Sequence, residues 1–354
     1  MRQTYFKLFF LFWVLLTSAC DNSQPKLPRP EENIFLQGAD ISFLPEIRNS
    51  GVKTYSDGQE EDMLETLKKA GVNVIRLRLW KDPLNETSSL KTVKSLSNEA
   101  KALGFKTLIS LHYSDTWADP GKQTKPEIWK NVMATSLRDS VYIYTKKIME
   151  ALRPDYLQIG NEINGGLLWP DGDYKHFDEA ITLIAQAAKA IRSVDPETKI
   201  ILHYAGFEYA NAFFSKFATI DYDIIGLSYY PIWHGKDLPK LTSELSSLSL
   251  IYNKSIMIVE TAYPWTLSWN DWTNNIVGLS SQLLPEYPAS PEGQKAYLMK
   301  IKDILKNTPK GLGFCYWGGE WISYKGNQAR DGSSFENQAF WDFENKRLPV
   351  LDAY

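Results

Sequence analysis

Two glutamates each close an apolar, strand-like run of the sequence. Glu162 ends the run YLQIGNE, and Glu260 ends the run SIMIVE. A carboxylate at the end of an apolar strand is costly unless it is solvated or paired, so both positions indicate a site; two salt-bridge partners are the structural alternative. Paired carboxyl groups of this kind cleave glycosides: one protonates the leaving oxygen, and the other faces the anomeric carbon.

The two carboxyl groups need different protonation states. As the acid/base, Glu162 would need a raised pKa, and the negative charge of Glu260, the expected nucleophile, supplies part of that shift because it disfavours a second ionisation nearby. A separation of ~5–5.5 Å between the carboxyl groups favours a covalent intermediate and net retention. Once Glu260 carries the sugar its charge is gone, and Glu162 can act as a base toward water.

Polar neighbours support this assignment. Asn161 precedes the acid and can hydrogen-bond a sugar 2-hydroxyl. In VIRLRLW, alternation with period two puts Arg76 and Arg78 on one face, which we expect to face the interior of the fold. An interior arginine would keep Glu260 ionised and oriented. A structural ion pair with Asp40 is the alternative for either arginine.

The elements that must position these residues alternate between strands and helices. Three amphipathic segments are the clearest helices: Gln59–Ala70, Phe177–Val194 and Gly293–Asn307. Such alternation predicts parallel strands with right-handed crossovers, and eight units fit one closed (β/α)8 TIM barrel. The strand candidates are IFLQGADIS, VIRLRLW, KTLISLHY, YLQIGNE, KIILHYAG, DIIGLSYY, SIMIVE and GLGFCYW.

The barrel predicts chemistry at the carboxyl ends of its strands. Polar and aromatic residues follow several strands there, and we expect them to converge on one opening. Trp169 and Trp233 are further candidates for sugar platforms, with a purely structural role as the alternative. The strand-end residues are His112, Asp115, Asn161, Glu162, Tyr229, Tyr230, Glu260 and Trp317.

Composition narrows the remaining function classes. A net charge of −3 provides no basic field for nucleic acid. The sequence has no glycine-rich nucleotide loop and no cysteine–histidine spacing for zinc, so we expect no cofactor. It also has no GxSxG elbow, so a serine nucleophile has no support. The 12 Trp, 19 Tyr and 16 Phe suit either a large core or a sugar-binding cleft.

The first 33 residues are typical of export. Residues 1–19 carry a positive start, a short apolar run and small residues, as a signal peptide does. Cys20 follows them like the acylated cysteine of a bacterial lipoprotein, with a plain signal peptide as the alternative. Residues 20–33 would be a flexible tether and 34–354 the catalytic domain. We expect a monomer, lipid-anchored to the outer membrane or the cell surface.

Several motifs together resemble glycoside hydrolase family 53, the arabinogalactan endo-β-1,4-galactanases. The resemblance runs from about Gly38 to Trp321 and implies a retaining clan-A barrel that cleaves internal β-1,4-galactosidic bonds of type I pectic galactan. It places the acid/base on Glu162 and the nucleophile on Glu260. The motifs are GADIS, SDGQ, GVN-IRLRLW, HYSDTWADPGKQTKP, IGNEINGGLLWP, SYYPIWHG and VETAYPWT. The implied substrate-site residues are Arg76, His112, Asp115, Trp117, Asn161, Tyr229, Tyr230 and Trp317.

Two segments depart from the family pattern. Where the family reads YWEPAW, residues 316–321 read YWGGEW, so the resemblance does not carry over subsite shape or product length. Some bacterial members bind calcium after strand seven, but here Asn270, Asp271 and Asn274 do not reproduce the family's spacing, and we expect no ion. Two other functions stay open: a surface glycan-binding lipoprotein without catalysis, and a retaining barrel that acts on mannan or xylan.

Overall fold

The computed structural model describes residues 34–354, in which eight parallel strands close into a barrel. Each strand pairs with its neighbours in chain order, and the first pairs with the last. The predicted (β/α)8 barrel is therefore confirmed. The strands are β1 (Leu36–Asp40), β2 (Val74–Leu79), β3 (Lys106–Leu111), β4 (Tyr156–Ile159), β5 (Lys199–Ala205), β6 (Ile224–Ser228), β7 (Ser255–Thr261) and β8 (Gly311–Tyr316).

Helices connect consecutive strands, with two additional short helices in the loops after β1 and β6. The two long helices predicted around residues 177–194 and 293–307 are present. The helices are α1 (Leu44–Ser50), α2 (Met63–Ala70), α3 (Leu90–Ala102), α4 (Ala134–Leu152), α5 (Phe177–Val194), α6 (Ala210–Phe214), α7 (Pro231–His234), α8 (Leu238–Tyr252) and α9 (Pro291–Asn307). Single 3-10 turns occupy Glu127–Trp129, Ser215–Phe217, Ser280–Gln282, Glu336–Gln338 and Pro349–Ala353.

Helix α2 begins four residues later than the sequence predicted. Gln59 and Glu60 instead pair with Tyr55 and Ser56 in a small antiparallel hairpin. The Asp62 side chain then accepts a hydrogen bond from the Leu64 amide, which caps the helix and sets its start. The other end agrees with the prediction, since Gly71 takes the left-handed conformation, with φ of 99°.

Apolar side chains fill both sides of the barrel wall. A large cluster packs the strands against the helices, and a smaller cluster fills the lower interior of the barrel. Cys315 is a fully buried member of the smaller cluster, as expected for a core residue. Its sulfur lies so close to Gly38 that a Cβ there would be only 2.2 Å away, which explains the glycine in GADIS. This cluster packs the barrel interior with apolar side chains.

Residues Phe35–Tyr354 form one compact unit. None of the helices in residues 34–354 is both long and apolar enough to cross a membrane. The predicted signal peptide (1–19), the acylated Cys20 and the tether (20–33) lie outside the described residues.

Candidate active site

A cleft of about 560 Å³ opens at the carboxyl ends of the strands. Seven of the eight strands contribute a residue to it, either from their last positions or from the loop that follows. The cleft is therefore the convergence point that the barrel predicts. Its lining residues are Arg76, Arg78, His112, Trp117, Ala118, Asp119, Pro120, Asn161, Glu162, Ala205, Tyr230, Trp233, His234, Glu260, Trp317, Trp321, Ser334 and Phe335.

Glu260, near the end of β7, is held by two donors. Arg76 Nη2 donates to its Oε1 at 2.6 Å, and the hydroxyl of Tyr230 donates to its Oε2 at 3.2 Å. Burial raises the pKa of the Glu260 carboxyl, and the adjacent guanidinium opposes that rise. The carboxylate is thus fixed in orientation and has a permanent cation beside it.

Arg76 links three strands through its buried guanidinium. Nη1 donates to Asp40 Oδ2 at 2.7 Å, and Nη2 also reaches Asn161 Oδ1 at 3.0 Å. The side chain is 1% exposed, as expected for an inward-facing position of β2. The carboxylates of Glu260 and Asp40 raise the pKa of the Arg76 guanidinium against the opposing effect of burial. Arg76 therefore pairs with both Glu260 and Asp40, the two partners considered from the sequence.

Glu162 has a different environment. It follows β4 with a φ of 48°, in the left-handed region that a non-glycine residue rarely adopts. Ser228 Oγ donates to its Oε1 at 2.5 Å, and no arginine or lysine of the described residues bonds it. Burial, together with the charge of Glu260, raises the pKa of Glu162 to about 8. Near neutral pH the carboxyl group therefore holds a proton.

Eight of the ten residues predicted from the sequence line the cleft. Within this group, His112 is buried, and its Nδ1 accepts a hydrogen bond from the Ala118 amide. The second ring nitrogen, Nε2, is left for a hydrogen bond to substrate. Burial and two nearby arginines hold the pKa of His112 well below its usual range, which keeps the ring neutral. The eight residues are Arg76, His112, Trp117, Asn161, Glu162, Tyr230, Glu260 and Trp317.

Asp115 and Tyr229 do not line the cleft, and their role in substrate binding stays a prediction. The Asp115 carboxylate accepts the amides of Asp82 and Glu127 at 2.9 and 2.8 Å, so it ties two loops together. Tyr229 is fully buried and donates to the Gly235 carbonyl. Successive residues of an extended chain point to opposite sides, so only one of the two tyrosines can face the sugar.

Aromatic rings form the walls of the cleft. Trp117 and Trp317 lie 6.1 Å apart, and Trp321 packs edge-on against Trp317. Trp233 is half-exposed at the rim, while Trp169 does not reach the cleft and bonds the Gly165 carbonyl. Flat apolar faces of this kind suit the C–H face of a pyranose ring.

The segment after β8 supplies residues that the sequence did not single out. Trp321 stacks on Phe43 with ring centroids 4.0 Å apart, and the Phe335 ring lies nearly parallel to Trp321 at 5.9 Å. The two glycines of YWGGEW permit this path. Gly318 has a φ of 67°, and a Cβ on Gly319 would meet the Phe340 ring at 2.3 Å. The segment in which the sequence departs from the family pattern therefore forms part of the cleft wall.

Glu320, in the same segment, is a buried carboxyl group beneath the cleft. Its Oε1 accepts the Phe43 amide at 2.9 Å, and its Oε2 has no hydrogen-bond partner within residues 34–354. Burial and the charge of Asp40 raise its pKa to about 8. The group fastens the loop after β8 to the loop after β1, which holds the stacked rings in place.

The acidic side chains of the loop after β7 bond to donors of the protein. Asp271 Oδ1 accepts the Thr273 amide, and Oδ2 accepts the Ser323 hydroxyl. Glu336 is likewise occupied by the amides of Asn270 and Asp271. Calcium needs six to eight oxygen ligands, whereas in the described part of the chain no three acidic, histidine or cysteine side chains gather for a metal.

The geometry supports one chemistry. A carboxyl group with a raised pKa and an arginine-bound carboxylate share one aromatic cleft. This pairing of an acid with a charged nucleophile is what retaining glycoside cleavage uses.

Comparison with known proteins agrees with the site. Residues 36–354 match the model of glycosyl hydrolase family 53. The arabinogalactan endo-beta-1,4-galactanase of Cellvibrio japonicus is 35% identical over 338 residues, which cover 90% of this chain and 89% of that protein. The endo-beta-1,4-galactanase of Bacillus subtilis is 31% identical over 371 residues, covering 90% and 85%. The solved GH53 catalytic domain of Ignisphaera aggregans superposes with a TM-score of 0.85 and 37% identity, covering 93% of this chain and 96% of that one. The chain therefore belongs to glycosyl hydrolase family 53.

Proposed function

We propose that this protein is a retaining endo-β-1,4-galactanase that acts on type I (arabino)galactan. The observation that carries the proposal is the pair Glu162 and Glu260 in one cleft, where Arg76 bonds Glu260 and Ser228 bonds Glu162. Relatives that share about a third of the sequence over most of its length are named galactanases, and retention is general in the family.

In the first step, Glu260 attacks the anomeric carbon while Glu162 protonates the glycosidic oxygen. Arg76 and Tyr230 hold the attacking carboxylate, so little reorganisation is needed as its charge is consumed. The products are a galactosyl ester of Glu260 and a shortened polysaccharide with a free hydroxyl.

In the second step, a water molecule enters where the leaving sugar was. The ester of Glu260 carries no negative charge, so the pKa of Glu162 falls, and the carboxylate can accept a proton from that water. Hydroxide attack on the same face as the departed sugar restores Glu260 and retains the β configuration.

Asn161 has a spare donor for the substrate. Its Oδ1 accepts from Arg76, and one Nδ2–H donates to the Ala118 carbonyl at 2.9 Å. The second Nδ2–H has no acceptor within the described residues. It is the group that we assign to the sugar 2-hydroxyl, with Trp117 and Trp317 as the adjacent apolar faces.

Isosteric variants test the enzyme directly. Glu162→Gln and Glu260→Gln should each lower reducing-end release from debranched galactan by about 10²–10⁴-fold or more, since each removes a proton donor or the nucleophile. Glu208→Gln, at an exposed pair with Lys240, is the matched control and should retain full activity. Galactan release by Glu260→Gln at the parent rate would refute the proposal.

Parallel assays separate the alternatives. The parent protein should release reducing ends from galactan and not from mannan or xylan. Binding to galactan with no release by the parent would instead support a non-catalytic glycan-binding protein. Release of reducing ends from mannan or xylan alone would mean that the protein is a glycosidase with a different substrate from the one proposed.

We propose that the activity needs no metal ion, because the oxygens of the loop after β7 are already used by protein donors. Dialysis against EDTA should leave both Tm and galactan hydrolysis unchanged. A Tm restored only by added calcium would contradict this.

We also propose that the protein is exported, acylated on Cys20 and monomeric, anchored to a bacterial outer membrane or cell surface. The support is the order of residues 1–33: a charged start, an apolar run, small residues, a cysteine and a polar tether. The full chain should enter the detergent phase on Triton X-114 partitioning, and Cys20→Ala should stay in the aqueous phase. Equal partitioning of both would contradict acylation. Sedimentation of the catalytic domain alone should give a single protomer mass.

A further inference from the structure

A buried relay lies behind Glu162, on the side away from the cleft. Ser228, at the end of β6, contacts Glu162 Oε1 at 2.5 Å, and its hydroxyl also lies 2.8 Å from His203 Nε2. On the other side of the imidazole, the Glu162 amide donates to His203 Nδ1 at 3.2 Å. Both Ser228 and His203 are fully buried. The relay therefore begins and ends on the same residue, once at its backbone and once at its carboxyl group.

The backbone amide fixes the direction of every proton in this relay. An amide N–H can only donate, so Nδ1 must carry a lone pair and the proton of the neutral ring must sit on Nε2. Nε2–H then donates to Ser228 Oγ, and the one hydroxyl proton of Ser228 is left for Glu162 Oε1. Burial and the charge of Arg76 hold the pKa of His203 well below its usual range, so the ring stays neutral.

The opposite tautomer has one apparent partner. His203 Nδ1 also lies 3.2 Å from Asn161 Oδ1, which could accept a proton from it. That oxygen already accepts from Arg76 at 3.0 Å and from Gln158 at 3.1 Å, so it needs no third donor. The Glu162 amide, in contrast, would lose its acceptor inside the protein, which is the costlier outcome.

The relay leaves the two carboxyl oxygens of Glu162 unequal. Oε1 is occupied by the Ser228 hydroxyl, whereas no donor or acceptor in residues 34–354 bonds Oε2. A proton on Oε1 would force the hydroxyl proton of Ser228 to turn away into a buried site with no other acceptor. We propose that Ser228 and His203 are positioning residues that keep the proton of Glu162 on Oε2, the oxygen available to the glycosidic bond. This inference rests on the acid/base role proposed for Glu162.

The imidazole also holds the backbone of the acid. Glu162 adopts its left-handed conformation directly where its amide meets His203 Nδ1. Such a conformation persists only where the surroundings determine it. One ring therefore sets both the backbone and, through Ser228, the proton of the same catalytic residue.

Leaving-group dependence distinguishes proton placement from a merely structural role. With Ser228→Ala, kcat/KM on galactan should fall about tenfold, equivalent to about 1.4 kcal/mol. On 2,4-dinitrophenyl β-galactobioside, whose leaving group needs no proton, the fall should be less than about twofold. Ser228→Thr, which keeps the hydroxyl, should restore galactan hydrolysis. Ser249→Ala removes a buried serine hydroxyl of α8, outside the cleft, and is the matched control for the loss of one hydrogen bond.

The pH profile gives a second readout. The Ser228 hydroxyl stabilises the ionised form of Glu162, so its removal should raise the pKa of Glu162 and move the basic limb of kcat/KM to higher pH. The charged neighbours of Glu162 are Glu260, Arg76 and Asp119, and all three remain in the variant. The proposal would be overturned if Ser228→Ala lowered kcat/KM equally on both substrates and left the basic limb of the pH profile where it is in the parent protein.

Nitrogen NMR tests the relay without any activity. The chain has 4 His, so ¹⁵N-histidine labelling gives few signals, and the signal perturbed by Ser228→Ala identifies His203. We expect a proton on Nε2 and none on Nδ1. A proton on Nδ1 would overturn the relay even in an active galactanase. If the tautomer is as expected but Glu162→Gln still hydrolyses galactan, the acid/base role fails and the relay stands.

Discussion

Arg76→Met is the perturbation whose effect follows most directly from the structure. Arg76 is 1% exposed and is within 2.7 Å of both Asp40 and Glu260. Its removal leaves two buried carboxylates without their cation, and breaking a buried pair in this way costs about 3–5 kcal/mol. We expect the free energy of unfolding, measured by urea titration with intrinsic fluorescence, to fall by that amount.

The same variant should change the pH profile in a defined direction. Arg76 is the main influence that lowers the pKa of Glu260, so its loss raises that pKa, and the nucleophile stays protonated to higher pH. If about 3 kcal/mol of the loss falls on Glu260, the acid limb of kcat/KM moves up by about two pH units. On that limb the activity then falls about a hundredfold.

The matched control is Arg192→Met, at an arginine of α5 that pairs with Asp221 and Asp223 away from the cleft. This pair is partly solvated, so we expect a loss of about 1 kcal/mol and no change in the pH profile. An Arg76→Met variant that keeps the parent acid limb, or that loses no more stability than the control, would contradict the role of Arg76.

Three further predictions test other parts of the site. Glu260→Gln should lower the pKa of Glu162 from about 8, because a neighbouring negative charge is gone; carboxyl ¹³C NMR of the labelled variant measures this, and an unchanged value would contradict the coupling. Trp233→Ala should raise KM for galactan about threefold to tenfold with kcat retained, since a ring at the rim is lost, whereas Trp272→Ala, equally exposed but outside the cleft, should change neither. Glu320→Gln should raise Tm more at pH 8 than at pH 5, by about 5 °C. A carboxyl group with a raised folded-state pKa loses its contribution to stability, about 3–4 kcal/mol over this range, as pH rises toward about 8, and an amide does not; calorimetry at both pH values decides this.

Periodicity was enough to predict the barrel. The run VIRLRLW is apolar on one face and carries Arg76 and Arg78 on the other, and strand geometry leaves only the interior for those arginines. The late start of α2 could not be predicted, because Gln59 and Glu60 have ordinary helix propensity. Their pairing with Tyr55 and Ser56 is a tertiary outcome.

The residues at the strand ends predicted most of the site. The prediction missed residues that lie within a strand or far along a loop. Phe335 lies 19 residues beyond β8 in a segment without periodicity, and hydrogen bonds from the loop after β7 bring it to the cleft. His203 was missed because it lies inside a strand-like run and has no partner at metal-ligand spacing in the sequence. Its inward position on β5, opposite the apolar face of the same strand, was the signal that could have drawn attention to it.

The identity of the nucleophile can be measured directly with 2,4-dinitrophenyl 2-deoxy-2-fluoro-β-galactobioside, which forms the ester and hydrolyses it slowly. After proteolysis, mass spectrometry should find one added glycosyl group, on Glu260 in the peptide that contains residues 255–261. A label on any other carboxylate, or first products of galactan hydrolysis in the α configuration, would contradict the paired-glutamate mechanism.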